Sequence, residues 1–441
     1  MGWREEYEGR FIPADKAAGM VKSGDYVAFT MGREAFACGL ALAARTGELR
    51  NVSVLAFTPT YDFGWYDEGW QDSFAITIGM PTATSQDAVD NRRCDFFVSA
   101  PIEQLQMERV PDLLFTEVST PDENGFCSFG SSVWDKKRQI LRVRAKGRPV
   151  IAEVNSNLIR TYGDNFIHVS EIDYFVEHVS SGISQTSGTL AGRAPKEPAP
   201  YLKDIAGYVA SLIKDGDTIQ IGVGRTTEPL VSLGLFEGKY DIGFHTEATP
   251  PGVISLVREG LINGRRKTLY PGKLVATSIG GSTKEEMAWV HMNPLFLLVD
   301  LEWLEDLRVI AANDNMTAIN NALLVDLAGQ ITAETIGFRI RSSPGGQPPF
   351  VFGALQAKGG KSITVLPSVA GNGASRIVPV MPEGTFVTVP REFADYVVTE
   401  YGVAKLRGKT LRQRTAELIA IAHPDHRSEL KKQAQRLYWN A

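Results

Sequence analysis

The 441 residues are 43% hydrophobic and 22% charged, enough apolar surface for two or three domains that fold without disulfides. With Lys+Arg 46 against Asp+Glu 51, the net charge of −5 leaves no basic footprint for nucleic acid or an anionic membrane. Any anionic ligand then needs a local pocket.

The three cysteines, Cys38, Cys94 and Cys127, lie far apart, as expected of free thiols in a reducing compartment. Cys127, in 125-GFCSFG-130, is a candidate nucleophile without an evident His partner. The charged N-terminus MGWREEYEGR has no apolar signal region, and the run 294-PLFLLV-299 is too short to span a bilayer. The expected location is the cytoplasm.

The first predicted unit is 22-KSGDYVAFTMGR-33, a Gly-Asp turn, a short strand and a glycine turn, followed by the helical 34-EAFACGLALAAR-45. Strand-like runs follow at 52-VSVLAF-57, 94-CDFFVSA-100, 113-LLFTEVS-119 and 149-PVIAEVN-155. Between the first two lies 57-FTPTYDFGWYDEGWQDSF-74, which holds seven aromatics. They suit core packing or a subunit interface, or else the walls of an acyl pocket for acids bulkier than acetate. Residues 184–200 are rich in Ser, Gly and Pro, as in a linker.

The apolar stripe Leu202, Ile205, Val209, Leu212 and Ile213 predicts a helix over 201–216. Then 214-KDGDTIQIGVGR-225 repeats residues 22–33 without gaps, matching at Lys, Gly, Asp, Gly and Arg. The helical 227-TEPLVSLGLFE-237 and the strand-like 362-SITVLPS-368 follow. The expected fold is α/β: two tandem, topologically similar domains with mostly parallel sheets, at 1–190 and 201–441, with the site where the domains face each other.

The segment 241-DIGFHTEATPPG-252 carries Glu247, two dozen residues after the glycine turn 221-IGVGR-225. Such a turn aims backbone N–H groups at a developing anion, and a carboxylate near it suits nucleophilic attack on a thioester. A solvated or ion-paired glutamate is the alternative. His245 either orients Glu247 or is a structural imidazole. His423, in 422-AHPDHR-427, reads as structural, and the basic residues of 405-KLRGKTLRQR-414 read as a solvated helical face.

From about residue 90 onward the chain resembles the acetyl-CoA hydrolase/transferase family of class I coenzyme A transferases, particularly the 4-hydroxybutyrate and butyryl-CoA:acetate types. The resemblance is carried by 118-VSTPDENGFCSFGSSV-133, 151-IAEVNSNLIRTYGD-164, 219-IQIGVG-224, 243-GFHTE-247 and 310-IAANDNMTAINNALLVDLAGQI-331. It continues in 358-KGGKSITVLPS-368, 375-SRIVPVMPEGTFVT-388 and 396-YVVTEYGVAKLRGKTLRQRTAELIAIAHPDHR-427. It implies CoA transfer from an acyl-CoA to a carboxylic acid through a glutamyl-CoA thioester at Glu247. It also implies oxyanion donors at Val223 and Gly346, and CoA contacts at Ile221, Gly222, Val223, Gly224, Arg225, Asn320, Ser342, Gly345 and Gly346. Asn320 otherwise reads as a helix cap or a buried polar side chain. The implied reaction needs no metal or further cofactor, CoA being substrate and covalent intermediate, and relatives form homodimers or homotetramers. Hydrolysis of acyl-CoA by the same glutamate, or acyl-CoA binding without turnover, are the competing readings.

The chain departs from the family in several places. It has 247-EATPPG-252 where Met and Asp-Gly are usual, and 304-LEDL-307 in place of an Asn-Asp-Pro element. In 345-GGQPPF-350 an aspartate is missing and Pro348–Pro349 are expected to stiffen a loop; 371-GNGA-374 lacks a lysine. These changes point to an altered acyl pocket, with ring-bearing or branched acids as the expected substrates.

Overall fold

The computed structural model describes residues 2–98, 109–182 and 197–438. The chain forms two compact units: Met1–Ala194 with Thr277–Trp303, and Pro195–Ala276 with Leu304–Ala441. The expected domain 1–190 lies within the first unit, whereas 201–441 is divided, because residues 277–303 fold with the first unit. Their anchors are local: Leu297 pairs with Tyr162 in a parallel ladder, and Val133 N–H donates to the Thr277 carbonyl. Most of the expected linker, residues 184–196, lies outside the described residues.

In the first unit, seven strands form one parallel sheet. They are β1 (Tyr26–Phe29), β2 (Val52–Ala56), β3 (Phe74–Ile78), β4 (Asp95–Phe96), β5 (Leu113–Val118), β6 (Val150–Val154) and β7 (Tyr174–Glu177), in the order β7-β6-β5-β1-β2-β3-β4. β1 and β5 are buried along their whole length; β1 reads as an unbroken apolar run, whereas β5 also buries Thr116 and Glu117. In the second unit, six strands are β8 (Thr218–Ile221), β9 (Gly243–Thr249), β10 (Met316–Asn321), β11 (Lys361–Val365), β12 (Tyr396–Thr399) and β13 (Gly402–Lys405). Their order is β13-β12-β11-β10-β8-β9, parallel except for the β12–β13 hairpin.

The sequence repeat is a repeat of structure. Gly24 and Gly216 take φ of 84° and 80°, and Asp25 and Asp217 accept the N–H of Lys22 and Lys214 at 2.7 and 3.0 Å. Each copy feeds an inner strand, β1 or β8, flanked by the next strand in sequence on one side and a later one on the other.

The aromatic segment builds the first unit's core. Tyr61, Phe63, Trp65, Tyr66 and Phe74 are all buried among Val27, Phe29, Val54 and Leu42. Phe63 lies against helix α1 (Phe36–Ala43) at Gly39, where a Cβ would meet the ring at 2.3 Å. These rings pack the first unit's core. Gly39→Ala overpacks this contact and is expected to cost about 1–3 kcal/mol, read as a lowered urea midpoint with an unchanged m-value.

Candidate functional site

The candidate site is built at the C-terminal ends of β8 and β9, where an open parallel sheet presents its loops. The two strands are in register from Thr218↔Gly243 and Ile219↔Phe244. Further along, the Thr246 hydroxyl bridges the Ile221 peptide, 3.3 Å from its nitrogen and 3.4 Å from its oxygen. Glu247, the next residue of β9, is thus level with Gly222 and Val223. Side chains alternate along a strand, so His245 and Glu247 share one face of the sheet.

The 221–227 turn is held from β10. The Asn321 amide donates to the Val223 carbonyl at 3.2 Å, and its oxygen accepts the Thr227 N–H at 3.1 Å. The Thr227 hydroxyl donates in turn to the Gly222 carbonyl. A Cβ at Gly224 would stand 2.2 Å from Asn321 Nδ2, and one at Gly222 2.3 Å from Asn320 Oδ1, so both glycines are sterically required. The Val223 N–H finds no acceptor among the described residues. Asn320 is buried in a reciprocal amide pair with Gln220, at 2.9 and 3.0 Å. The exposed Arg225 side chain turns to solvent, and the Ser342 N–H donates to the Glu334 carbonyl at 3.1 Å.

Gly346 is the N-cap of helix α4 (Gln347–Gln356, with α2 and α3 being Lys136–Arg144 and Tyr201–Leu212). Pro348 and Pro349 therefore do not stiffen a loop, as the sequence had suggested; they occupy the first helical turn, where a missing N–H leaves nothing unsatisfied. Their lack of N–H groups concentrates the helix's positive end on the Gly346 and Gln347 amides. Gly345 reaches the cap with φ of +52°.

Two carboxyls converge on this cap. A Cβ built on Gly346 would lie 2.5 Å from Glu247 Oε2 and 2.6 Å from Glu305 Oε1. Burial raises the Glu247 carboxyl above the usual carboxylate range, against hydrogen bonds from Glu305 and from the Gly346 N–H that hold it down. A hydrogen bond between two carboxyls needs a proton, and the one from Glu305, only 3% exposed, opposes the upward push of burial on Glu247. Glu247 itself keeps partial access to solvent.

His245 organises the elements that carry these partners. Its Nε2 donates to the Leu304 carbonyl at 2.9 Å, fixing the residue before Glu305, and its ring meets Phe350 of α4 edge-on at 6.0 Å. Burial, aided by the Lys267 ammonium, pushes this imidazole down to about 3. It is neutral at physiological pH. Below about 6.5 the unfolded chain binds a proton that this folded site refuses. Stability is therefore expected to fall by up to about 1.4 kcal/mol per pH unit from this residue between roughly pH 6.5 and pH 3. Urea midpoints of the parent and of His245→Gln, compared at pH 7 and pH 5, measure that slope.

Glu305, Asn321 and Thr246 escaped the sequence reading. Glu305 sits in 304-LEDL-307, the stretch already marked as a departure, which was the available signal. Burial pushes the Cys127 thiol up to about 12, so it is no thiolate nucleophile. Among the described residues no His/Cys/Asp/Glu cluster suits a metal ion, and no helix is long and apolar enough to cross a membrane.

Family models of the acetyl-CoA hydrolase/transferase N-terminal and C-terminal domains match residues 1–183 and 282–434. The chain is 37% identical to the 4-hydroxybutyrate coenzyme A transferase of Clostridium kluyveri, over 99% of this chain and 100% of that one. It is 34% identical to the succinyl-CoA:cyclohexane-1-carboxylate CoA transferase of Geobacter metallireducens, over 99% and 97% of the two chains. The crystal structure of RipA from Yersinia pestis matches with a TM-score of 0.89 at 28% identity, covering 99% of this chain and 100% of that one.

Proposed function

The chain belongs to the acetyl-CoA hydrolase/transferase family and is a CoA-transferase, and on that premise we propose that it moves CoA from an acyl-CoA to a carboxylic acid through covalent intermediates on Glu247. The observation that carries this reading is the meeting of the Glu247 carboxyl with the Gly346 N–H and Glu305 at a helix N-terminus.

In the first step a Glu247 oxygen attacks the thioester carbonyl carbon. The C–S bond breaks, CoA leaves as thiolate, and an acyl–glutamyl anhydride remains. The thiolate then attacks the glutamyl carbonyl carbon, the anhydride C–O bond breaks, and the first acid leaves as carboxylate. A second carboxylate attacks the resulting glutamyl-CoA thioester, and the same steps run in reverse. One thioester replaces another and no net proton is consumed, so neither ATP nor metal is called for.

Two kinds of tetrahedral oxyanion arise. When thiolate attacks the glutamyl group, the oxyanion is a former Glu247 oxygen, and the Gly346 N–H with the helix dipole is the donor we assign to it. When Glu247 attacks the substrate, the oxyanion is the thioester oxygen, and the unengaged Val223 N–H is the donor we assign to it. In the free enzyme a proton on Glu305, donated toward Glu247, favours the ionised form of the half-buried nucleophile.

The wider assignment places CoA along 221–225, with Gly345, Gly346 and Ser342 on the opposite loop. Because its amide is engaged by Gln220, Asn320 supports the 222 turn rather than offering a free side-chain contact. The altered 304-LEDL-307 and 345-GGQPPF-350 lie against the nucleophile, where they would shape acyl preference.

Borohydride reduction after incubation with butyryl-CoA and no acceptor tests the route directly. A peptide modified at Glu247 is expected. Release of CoA without that adduct and without dependence on an acceptor acid would instead establish hydrolysis.

Removing the Glu305 donor lets burial act on Glu247 unopposed from that side, so the carboxyl moves further up. The acid limb of kcat/KM is expected to shift to higher pH in Glu305→Ala. Glu305→Gln restores a donor and should return the limb toward the parent position. Superimposable pH profiles for all three proteins would remove Glu305 from the reaction.

A further inference from the structure

The glycine turn of the first repeat carries its own unsatisfied chemistry. Gly32, the counterpart of Gly224, follows β1 with φ of +111°. A Cβ there would stand 3.2 Å from Ser132 Oγ, 3.4 Å from Trp134 Cδ1 and 3.6 Å from Lys136 Cε. The Ser132 hydroxyl and the carbons Trp134 Cδ1 and Lys136 Cε, next to the indole N–H and the ammonium, thus pack against a single backbone position that carries no side chain.

None of the three has an acceptor among the described residues. Ser132 Oγ and Trp134 Nε1 are buried without a hydrogen-bond partner among the described residues. Trp134 is only 2% exposed and is held at φ of +45°, a costly conformation for an aromatic residue. Its backbone is clamped there, its carbonyl accepting the Leu301 N–H at 2.9 Å. Lys136, at the start of α2, is 3% exposed; its ammonium lies 6.0 Å from the Phe129 ring centroid and forms no ion pair within 4 Å among the described residues. Burial pulls that ammonium down to about 8, with Glu117 and Asp135 opposing and Arg33 adding to the shift. It stays mostly charged at pH 7.

A buried cation and two orphan donors are each unfavourable alone, and an anion with several lone pairs relieves all three. The acids facing Lys136, Glu117 and Asp135, set the charge of that anion: a monoanion is tolerated better than a dianion. Gly32, Arg33 and Ser132 are partly exposed, whereas Ser132 Oγ and Trp134 Nε1 are themselves sealed from solvent, so an anion reaches them only if these outer residues move aside. We propose that the Gly32 turn is a carboxylate subsite, with the Lys136 ammonium, the Ser132 hydroxyl and the Trp134 indole N–H donating to the two oxygens of a small organic acid. This rests on the transferase reading for the identity of the acid, whereas the donors by themselves call for an anion.

The test uses full-length protein carrying Glu247→Gln, so that binding is read without turnover. Butyrate is titrated and followed by calorimetry and by the Trp134 indole N–H resonance, assigned through its loss in Trp134→Phe. Butyrate is expected to move that resonance, and the neutral amide butyramide to leave it in place. Lys136→Met should weaken butyrate at least about tenfold, as for the loss of a charged hydrogen bond, and the conservative Ser132→Ala a few-fold. An unmoved indole resonance overturns the proposal. So does parent affinity in both Lys136→Met and Ser132→Ala, the second of which removes one hydroxyl and guards against a folding defect in the first. Inorganic phosphate displacing butyrate at equal concentration overturns the carboxylate assignment. Failure to trap a glutamyl adduct on the parent protein leaves these binding results standing, so the two readings fail separately.

Discussion

Glu247→Gln is expected to lose at least about a thousandfold in turnover with any acyl-CoA and acid pair, because an amide oxygen does not attack a thioester. The substitution is close to isosteric. Its carbonyl still accepts the Gly346 N–H, and no carboxylate remains to be desolvated beside Glu305. The thermal midpoint should therefore be unchanged or raised, which separates loss of chemistry from loss of fold. Steady-state transfer assays and a thermal melt on the same preparation read both quantities. Turnover within tenfold of the parent would remove Glu247 from the covalent role and leave the carboxyl pair as a structural feature only.

The second large effect is at Gly346. Its φ of −76° and ψ of 1° suit any residue, so Gly346→Ala carries no backbone penalty. The cost is steric and local: the new methyl would stand 2.5 Å from Glu247 Oε2, 2.7 Å from its Cδ and 2.6 Å from Glu305 Oε1. The two carboxyls must swing away, and the Gly346 N–H loses its acceptor. A loss of about 10²–10³ in kcat is expected, the usual consequence of removing one oxyanion donor. Gly345→Ala is the matched control. Nothing lies within 4 Å of its Cβ position, but its φ of +52° is unfavourable for alanine. It should cost about 1–2 kcal/mol of stability with a smaller change in kcat. If Gly346→Ala retains kcat, the helix cap is not the oxyanion site.

The two glycines show what is legible in a sequence and what is not. Adjacent Gly345–Gly346 reads as a turn that lets a ligand approach. Which of the pair is needed for its left-handed φ, and which for the room it leaves, depends on side chains delivered from β9 and from residue 305. The same holds at Asn320–Asn321. Parity along β10 sends Asn320 to Gln220 and Asn321 to the Val223 turn, and a shift of one residue in register exchanges the two roles. The family resemblance marked the first of these asparagines; the geometry gives the second its hold on the turn.

The aromatic segment teaches a similar lesson. Seven rings in eighteen residues are compatible with a pocket or with a core, and composition does not choose. Gly39 decides it for Phe63, because only a residue without a side chain allows the ring to lie on α1.

What the sequence determined by itself is everything that depends on short-range chemistry. Apolar runs gave buried parallel strands, the two Gly-Asp turns gave matched strand entries, and the repeat across half the chain gave two similar units. The glycine turn before Glu247 singled out the carboxyl that the fold brings to the Gly346 cap. Tertiary structure alone decided that Glu305, fifty-eight positions downstream (305 minus 247), meets Glu247 at the Gly346 cap, that residues 277–303 return to the first unit, and that Lys136 lies buried beside two orphan donors. The reason is physical: backbone preference acts between neighbours in the chain, whereas desolvation and hydrogen-bond satisfaction act between neighbours in space.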